Sequence, residues 1–548
     1  MIAIKIIRRE IKLKKAKWYL IAFVLLLLIG GVYYYITIPA INIHSTGMWA
    51  FLFTLCIFVL IFIMALSVYK GKKPEKAVKE SLPLKIAAGI TAALAVIYFV
   101  GSILSSPIIN ASKYQKLLTV EEKKFTDDIK EVNYNQIPLL DRDSATLLGN
   151  RKMGSMVDYV SQFEVSTLYT QINYNDEPVR VTPLIYASPI KWLTNNSNGI
   201  PAYIKIDMAT QDTDCIKLDQ PIKYSEAEYF NRNIYRHLRF RYPTYIFDSI
   251  SFEIDEEGTP YWVCPVKKYN IGLFGGQTIG KVILCNAQTG ETEEYKVEDV
   301  PQWVDRVYSA DLLVQLYDYY GTLKHGYFNS VLGQKDCLQT TDGYNYIALD
   351  DDVWVYTGIT SLNSDQSIVG FVLMNQRTME TRFYSVEGAI EYSAMGSAEG
   401  QVQNLGYQAT FPLLLNIANE PTYFMALKDD AGLVKKYAMV NVQKYQWVAI
   451  GDTVAECEKA YISLLNTNGI SSAQVGNALE ISGKITAIAP IVIEGNTHYY
   501  VCISGDEGIF DFNMTDAGVL DILKYKEGDM IKISYAKGSP VNEVLEIK

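Results

Sequence analysis

Three long runs of apolar residues dominate the first 110 positions of the chain. They extend over Trp18–Ile36, Met48–Tyr69 and Ile86–Leu104, and none of them contains a charged residue. A helix needs about 20 apolar residues to cross a bilayer, and a cleaved signal peptide would not be followed by two further runs. The pattern therefore predicts a three-helix transmembrane anchor within residues 1–110, with spans at about 18–36, 48–69 and 86–104.

Lysines and arginines flank these runs unevenly. KIIRREIKLKKAK precedes the first run and KGKKPEKAVKE separates the second from the third, whereas TIPAINIHSTG, between the first and second, contains neither Lys nor Arg. Cytoplasmic loops carry the excess of these residues. The sequence predicts a plasma-membrane protein whose N-terminus is cytoplasmic and whose residues after about 105 are extracytoplasmic, with the lipid bilayer as its first partner.

Beyond the apolar runs, alternating apolar and polar positions are interrupted by polar turns that resemble one another. The decapeptide NAQTGETEEY begins at Asn286, and related decapeptides are NQRTMETRFY from Asn375, DMATQDTDCI from Asp207 and the degenerate NVQKYQWVAI from Asn441. Each follows a short apolar run, and an acidic or polar turn lies 20 to 29 residues upstream. This pattern predicts a repeated unit of strand, acidic turn, strand, loop, strand, turn, strand and helix.

The repeated decapeptide is interpreted as a turn between two strands rather than as a binding site. Gly290 is expected to supply a positive φ angle there. Met379 and Gln211 occupy the equivalent positions of two other copies, so glycine is not required in every copy.

The chain is predicted to be α+β and to contain a series of small extracytoplasmic units. The predicted organisation is a helical connector at 111–136, a first unit with an N-terminal extension at 137–250, a second at 251–335, a third at 336–410, a degenerate fourth at 411–466, and a separate β domain at 480–548. In that last segment three strands, a helix and two strands follow one another, which resembles the order of an OB-type barrel.

The units resemble PepSY-type domains, small α+β modules of exported bacterial proteins. The matching residues are Asn286-Ala287-Gln288-Thr289-Gly290-Glu291 and the preceding hairpin DEEGTPYWVCPV. The resemblance covers about 170–465 and implies extracytoplasmic placement and binding of proteins or peptides, sometimes with restraint of proteases; it brings no catalytic residues. The whole chain also resembles a group of bacterial multi-span membrane proteins with a large extracytoplasmic region.

Charge and cysteine content narrow the classes of function. The net charge is −10 overall, but residues 1–110 hold 13 Lys/Arg and 3 Asp/Glu, and the remainder is strongly acidic. An acidic body disfavours nucleic acid as a partner, since phosphate binding requires cationic groups. The seven cysteines show no CxxC spacing, so neither a metal cluster nor a dense disulfide framework is expected. Cys264 and Cys285 are predicted to face each other across a hairpin, either as a disulfide or as two free buried thiols.

The stretch IPLLDRDSATLLGNRKMGS is the first candidate for chemistry. Asp141, Arg142, Asp143 and Arg151 crowd a short segment, where two carboxylates could share a proton or a metal ion. The alternative is a helix N-terminus capped by Asp143 or Ser144, with basic residues in the last turn.

A basic segment is the second candidate. FNRNIYRHLRFRYP places Arg232, Arg236 and Arg239 together in an otherwise acidic body, where they could bind lipid headgroups, an anionic cell-wall polymer or an acidic partner surface. The alternative is a solvated helix face. The acidic turns beginning at Asp255, Leu349 and Lys428 are interpreted as tight turns rather than calcium loops, because none has the alternating ligand pattern of such a loop.

No sequence motif identifies a catalytic centre. The four histidines are dispersed, and GxSxG, HExxH and P-loop patterns are absent from the sequence. No cofactor or metal is expected. The principal hypothesis is a non-enzymatic, membrane-anchored binding or scaffold protein of the bacterial envelope that contacts a protein, peptide or cell-wall partner. The alternatives are an envelope hydrolase that uses carboxylates such as Asp141 or Asp143, and an accessory subunit of a membrane transport or secretion complex.

Overall fold

A computed structural model describes residues 23–69, 75, 81–129, 137–349, 351–362, 367–469, 479–493, 496–506, 508–514, 517–536 and 541–548. The fold is mixed α+β, in agreement with the class predicted from the sequence. The α-helices of the described residues are Phe23–Thr37, Thr46–Tyr69, Leu82–Leu104, Pro107–Gln115, Phe125–Asp128, Arg142–Ser155, Val157–Val160, Pro189–Asn195, Ile234–Arg241, Ala310–Thr322, Glu391–Gln401 and Val454–Thr467.

Two helices of the described residues are candidate membrane spans. Thr46–Tyr69 and Leu82–Leu104 have 24 and 23 residues, and their apolar side chains are largely exposed rather than packed in a core. A third apolar helix, Phe23–Thr37, is shorter, and the start of the predicted first span at Trp18 lies outside the described residues. The basic flank at 5–17 and most of 70–80 also lie outside them, so the orientation stays a prediction from the sequence.

The connector after the last span differs from the single helix predicted for 111–136. Helix Pro107–Gln115 is followed by strand β1, Glu121–Lys123, and by the short helix Phe125–Asp128, while 130–136 lie outside the described residues. β1 pairs in parallel with Thr381–Tyr384, more than 250 residues later. Such pairing at a sheet edge depends on a distant partner, so the local polar pattern could not reveal it.

Four sheets follow, antiparallel except where β1 joins the third, and each contains two hairpins joined by a central strand pair. The strands of the first sheet are β2 Phe163–Val165, β3 Thr170–Tyr174, β4 Glu177–Tyr186, β5 Ile200–Asp207 and β6 Thr213–Ile222. Those of the second are β7 Ser251–Ile254, β8 Pro260–Ile271, β9 Gly275–Asn286 and β10 Thr292–Lys296. The third contains β1, β11 Leu338–Thr340, β12 Asn345–Leu349, β13 Asp352–Ser361, β15 Gly370–Asn375 and β16 Thr381–Tyr384, and a small pair, β14 Ser367–Ile368 with β17 Gly388–Ala389, lies outside it. The fourth contains β18 Gln408–Ala409, β19 Leu413–Ile417, β20 Glu420–Lys428, β21 Val434–Asn441 and β22 Val448–Gly451.

The sheets are stacked face to face. Alternate residues of a strand point to opposite faces of its sheet, and in this chain the two faces belong to different hydrophobic cores. In the second sheet, Trp262 and Cys264 share a core with the first sheet, whereas Val263 shares another with helix Ala310–Thr322 and the third sheet. The opposite face of the third sheet shares a core with the fourth. Helix Glu391–Gln401 falls within the predicted third unit, 336–410, but packs against the fourth sheet. Sequence order alone does not determine which sheet a connecting helix covers.

The repeated decapeptide forms the same hydrogen-bonded turn in its copies. The side-chain oxygen of Asn286 accepts hydrogen bonds from the amides of Gln288 and Thr289, at 2.9 and 3.0 Å. The equivalent oxygens of Asp207, Asn375 and Asn441 accept the corresponding pairs of amide hydrogen bonds. The positive φ expected at Gly290 is confirmed, at 76°, and Gln211 and Met379 adopt it as well. The decapeptide is therefore a structural turn, stabilised by its own Asn or Asp side chain.

The last five strands form a closed barrel. They are β23 Leu479–Ile493, β24 Asn496–Ile503, β25 Ile509–Asn513, β26 Met530–Ala536 and β27 Asn542–Ile547, and the order around the barrel is β23, β24, β25, β27, β26. A 3-10 helix, Ala517–Lys524, joins β25 to β26.

The two cysteines of the second sheet do not face each other directly. Cys264 pairs with Ile283 and Cys285 with Trp262, so that they are offset along the hairpin. Both thiols are free and buried, which agrees with the second of the two alternatives from the sequence.

Candidate functional site

The first candidate group lies at the start of helix Arg142–Ser155. Asp141 is its N-cap and accepts a hydrogen bond from the amide of Ser144 at 2.9 Å. The sequence pattern placed the cap at Asp143 or Ser144, and the cap is two or three residues earlier because the first helical residue is Arg142. Asp143 and Arg151 are exposed on this helix. Arg142 donates to the carbonyl of Thr167 at 2.6 Å.

Asp141 also links the start of this helix to the fourth sheet. Its carboxylate accepts a hydrogen bond from the ammonium of Lys428, on β20 of the fourth sheet, at 2.5 Å. Burial alone would raise the pKa of Asp141, but the hydrogen bonds from Lys428 and Ser144 outweigh it and the pKa is lowered. A carboxylate held ionised in this way is a poor proton donor. The small adjacent pocket is lined mainly by apolar side chains such as Leu139, Phe411 and Phe424.

The second candidate group, the arginines of 232–239, lies beside the end of the first apolar helix. Arg239 donates from Nε to the carbonyl of Ile38 at 3.0 Å, and from Nη1 to the carbonyls of Tyr242 and Tyr245. Burial lowers the pKa of this guanidinium. Arg239 therefore fixes the loop that follows helix Phe23–Thr37 to helix Ile234–Arg241 and the residues just after it. Its guanidinium is occupied by backbone carbonyls of its own chain.

Arg236 and Arg232 have different surroundings. The guanidinium of Arg236 lies over the ring of Tyr35, 5.0 Å from its centroid, and the ring of Phe240, one turn later, is 6.0 Å from the same tyrosine. Arg232 donates to the carbonyl of Asn196 at 2.6 Å. The two candidate groups are not brought together, since Asp141 contacts the fourth sheet, whereas Arg236 and Arg239 contact the end of the first apolar helix and the loop after it.

A contact that the sequence did not predict joins the β8–β9 hairpin to the other two apolar helices. Ser105, just after helix Leu82–Leu104, accepts hydrogen bonds through Oγ from the amides of Leu273 and Phe274, at 2.7 and 3.0 Å. A ring nitrogen of His44, just before helix Thr46–Tyr69, lies 2.7 Å from the carbonyl of Leu273. The tip of the second sheet is thereby tied to the ends of both helices.

Apolar packing reinforces this contact. The ring of Phe274 lies 5.0 Å from that of Tyr98 and 6.3 Å from that of Trp49. At Gly101 a Cβ atom would approach Leu273 to 2.7 Å, so glycine permits the close approach of hairpin and helix. The glycines of GLFGG and of the last apolar run were the only hint of this contact in the sequence. They permit a close approach but do not indicate which segment approaches.

Acidic turns from three successive sheets converge at another surface. The side-chain amide of Asn173, in β3, donates to Asp351 at 3.1 Å. Burial raises the pKa of Asp351, and the nearby carboxylates of Asp176, Asp352 and Glu256 raise it further. Within the described residues, no group of three or more His, Cys, Asp or Glu side chains could hold a metal ion. The geometry is that of a negatively charged surface.

Beneath this surface lies a buried pair of acids. Asp305 and Glu253 are almost wholly inaccessible to solvent. Glu253 accepts from Ser251 at 2.7 Å and from the amide of Asp305 at 2.9 Å, and Asp305 accepts from the amide of Asn173 at 2.7 Å. Burial raises the pKa of Asp305, and the Coulombic effect of Glu253 raises it further. Burial also raises the pKa of Glu253.

Comparison of the chain with protein-family models and with curated proteins found no match in either set.

Proposed function

We propose that this chain is a non-enzymatic binding or scaffold protein of the bacterial envelope, anchored in the plasma membrane by three helices. Its N-terminus is cytoplasmic and its body extracytoplasmic, an orientation supported by the Lys and Arg distribution around the apolar runs. The Ser105 hydrogen bonds support a body held against its anchor.

The convergence of acidic turns carries the proposal. Asp176, Glu256 and Asp351 come from three successive sheets, and burial together with the charges of Asp176 and Glu256 raises the pKa of Asp351. A surface of this charge attracts a basic segment of a protein or peptide and repels an anionic wall polymer. The proposed partner is therefore an envelope protein or peptide with a cluster of Lys or Arg.

The finer resemblances also support a binding role. Each sheet contains the hairpin order of the PepSY-like unit, and a helix follows each of them in the chain. The closed five-stranded barrel with a 3-10 helix between β25 and β26 supports the OB-type resemblance. Both families are associated with binding rather than with one fixed chemistry, and PepSY-type units with peptides or proteins.

Co-purification tests the proposal. The full chain would be cross-linked in bacterial cells, extracted in detergent, and compared with a variant carrying Asp176→Asn, Glu256→Gln and Asp351→Asn. The expected result is a specific partner that the variant loses. Asp212→Asn with Glu291→Gln, in the decapeptide turns, is the matched control and should retain it. Equal recovery with both variants, or turnover of a cell-wall substrate by the purified chain, would contradict the proposal.

The accessory-subunit alternative has one supporting observation. A Cβ atom added at Gly31 or at Gly89 would meet nothing within 4 Å, so these small-residue faces are open to another helix. Replacing the three spans by an unrelated anchor distinguishes the two functions, because a scaffold that binds through its body should keep its partner. The hydrolase alternative gains no support at Asp141, whose carboxylate is engaged by Lys428 and Ser144.

A further inference from the structure

We propose that the part of the chain after the apolar helices rests on the lipid bilayer. It does so through an exposed apolar surface formed by Ile108, Ile109, Phe328, Val331 and Leu332. This surface is called the seating patch below, and its partner is phospholipid at the boundary between headgroups and acyl chains. The inference rests on the proposed membrane anchoring but not on the proposed partner protein.

The first step is the direction of helix Pro107–Gln115. Tyr114 donates a hydrogen bond from its hydroxyl to the carbonyl of Ser105, at 2.6 Å, where the preceding span ends. Asn110, inside this helix, has non-helical φ and ψ angles, so the helix is kinked there. Without such a bend, a helix of nine residues leading away from the span would carry its end about 13 Å from it, too far for a tyrosine side chain to return. The helix therefore lies across the end of the span, at the level of the membrane surface.

The second step places a distant segment at the same level. Tyr114 forms a small core with Ile271 and Leu323, and Tyr327 packs against this core. The ring of Phe328 lies 5.9 Å from the ring of Tyr327. The segment after helix Ala310–Thr322 is thus next to the end of the span, although about 220 residues separate them in the chain.

The third step is the shape of that segment. Asn329 closes it, because its side-chain amide donates to the carbonyl of Lys335 at 2.9 Å and its own carbonyl accepts from the amide of Gln334 at 2.6 Å. The closed segment holds its apolar side chains outward: Phe328 is 70%, Val331 53% and Leu332 80% exposed.

Exposure of this degree matches side chains on the apolar helices themselves. Leu28 is 61% and Ile36 65% exposed, and Ile108 and Ile109, on the helix that crosses the end of the span, are 53% and 54% exposed. Clustered apolar side chains on a water-exposed surface are unfavourable unless something covers them. Continuity with the span identifies the cover as lipid. Lys324 and Lys335, both exposed, flank the segment where cations meet phosphate headgroups.

Photo-crosslinking of the full chain in nanodiscs of phosphatidylglycerol and phosphatidylcholine tests the inference. Benzoylphenylalanine would replace Phe328 or Leu332, and mass spectrometry would identify the adducts. The matched control is Leu523, which lies on the barrel and is 62% exposed. The barrel contacts helix Val454–Thr467, where Lys459 donates a hydrogen bond to the carbonyl of Leu545. Phospholipid adducts at 328 and 332, and none at 523, are expected.

Two outcomes would overturn the inference. These are protein–protein adducts at 328 and 332, or lipid adducts no more abundant there than at 523. A separate alkaline carbonate wash of the membranes distinguishes failure of the anchor from failure of the seating patch. A chain that resists the wash but gives no lipid adduct disproves the patch alone, whereas a chain released by the wash disproves the anchor.

Discussion

Replacing Ser105 with alanine should loosen the contact between the β8–β9 hairpin and the end of helix Leu82–Leu104. Ser105 is buried, and its Oγ accepts the amide hydrogen bonds of Leu273 and Phe274, so the substitution leaves both donors without that acceptor. A donor left unsatisfied costs about 1–3 kcal/mol when buried. Because both hairpin residues are only partly buried, we take the lower end of this range, for a total of about 2 kcal/mol. At 1.4 kcal/mol for each factor of ten, the hairpin should open roughly 30-fold more often.

Hydrogen exchange followed by mass spectrometry measures this opening directly. In nanodiscs, the peptide that contains Ile271–Gly276 should exchange roughly 30-fold faster in Ser105→Ala than in the unmodified chain. Ser106→Ala is the matched control, because the Ser106 hydroxyl donates to Ile103 and makes no contact with the hairpin in the described residues. Unchanged exchange in Ser105→Ala, or equal acceleration in both variants, would refute the proposed role of Ser105.

Three further substitutions and one control variant test other parts of the fold. Asp305→Asn should raise the melting temperature at about pH 8 but not at about pH 4, because a buried carboxyl with a raised pKa destabilises the fold as the pH rises above its unfolded value; an equal effect at both pH values would contradict this. Thr453→Ala should lower the free energy of unfolding by about 1 kcal/mol in urea titration, since it removes the capping box of helix Val454–Thr467. Gly290→Ala should cost at least about 1–2 kcal/mol because of its positive φ, and its Cβ would also approach the Tyr224 ring to 2.4 Å. In the same assay Gly154→Ala, in a helix with no neighbour within 4 Å, should be neutral or stabilising.

Features encoded by neighbouring residues could be predicted from the sequence. The Asn286 turn and the positive φ of Gly290 follow from side chains that bond to backbone two and three residues away. The helix after Asp141 was predicted for the same reason, with its cap displaced by two or three residues. The α+β class follows from alternating and helical periodicities, which are also local.

Contacts between distant residues could not be predicted in this way. The partners of Ser105 are 168 and 169 residues away, and β1 pairs with β16 across a still longer stretch of chain. A cluster of arginines likewise looks like a ligand site in one dimension, whereas Arg239 satisfies backbone carbonyls of its own chain. The pattern of charged residues in the sequence indicates which ligands a surface could attract. Only the folded structure shows which of those charged side chains are already bound by other parts of the chain.

The part of the chain after the apolar helices is attached to them at three separate places. The covalent connector joins the third sheet through β1, the hairpin tip of the second sheet meets Ser105, and Arg239, which follows the first sheet, grips the loop at Ile38. A single attachment would let this part of the chain rotate relative to the helices, whereas three attachments resist such rotation. A displacement of this part of the chain is therefore passed to the ends of the apolar helices at more than one point.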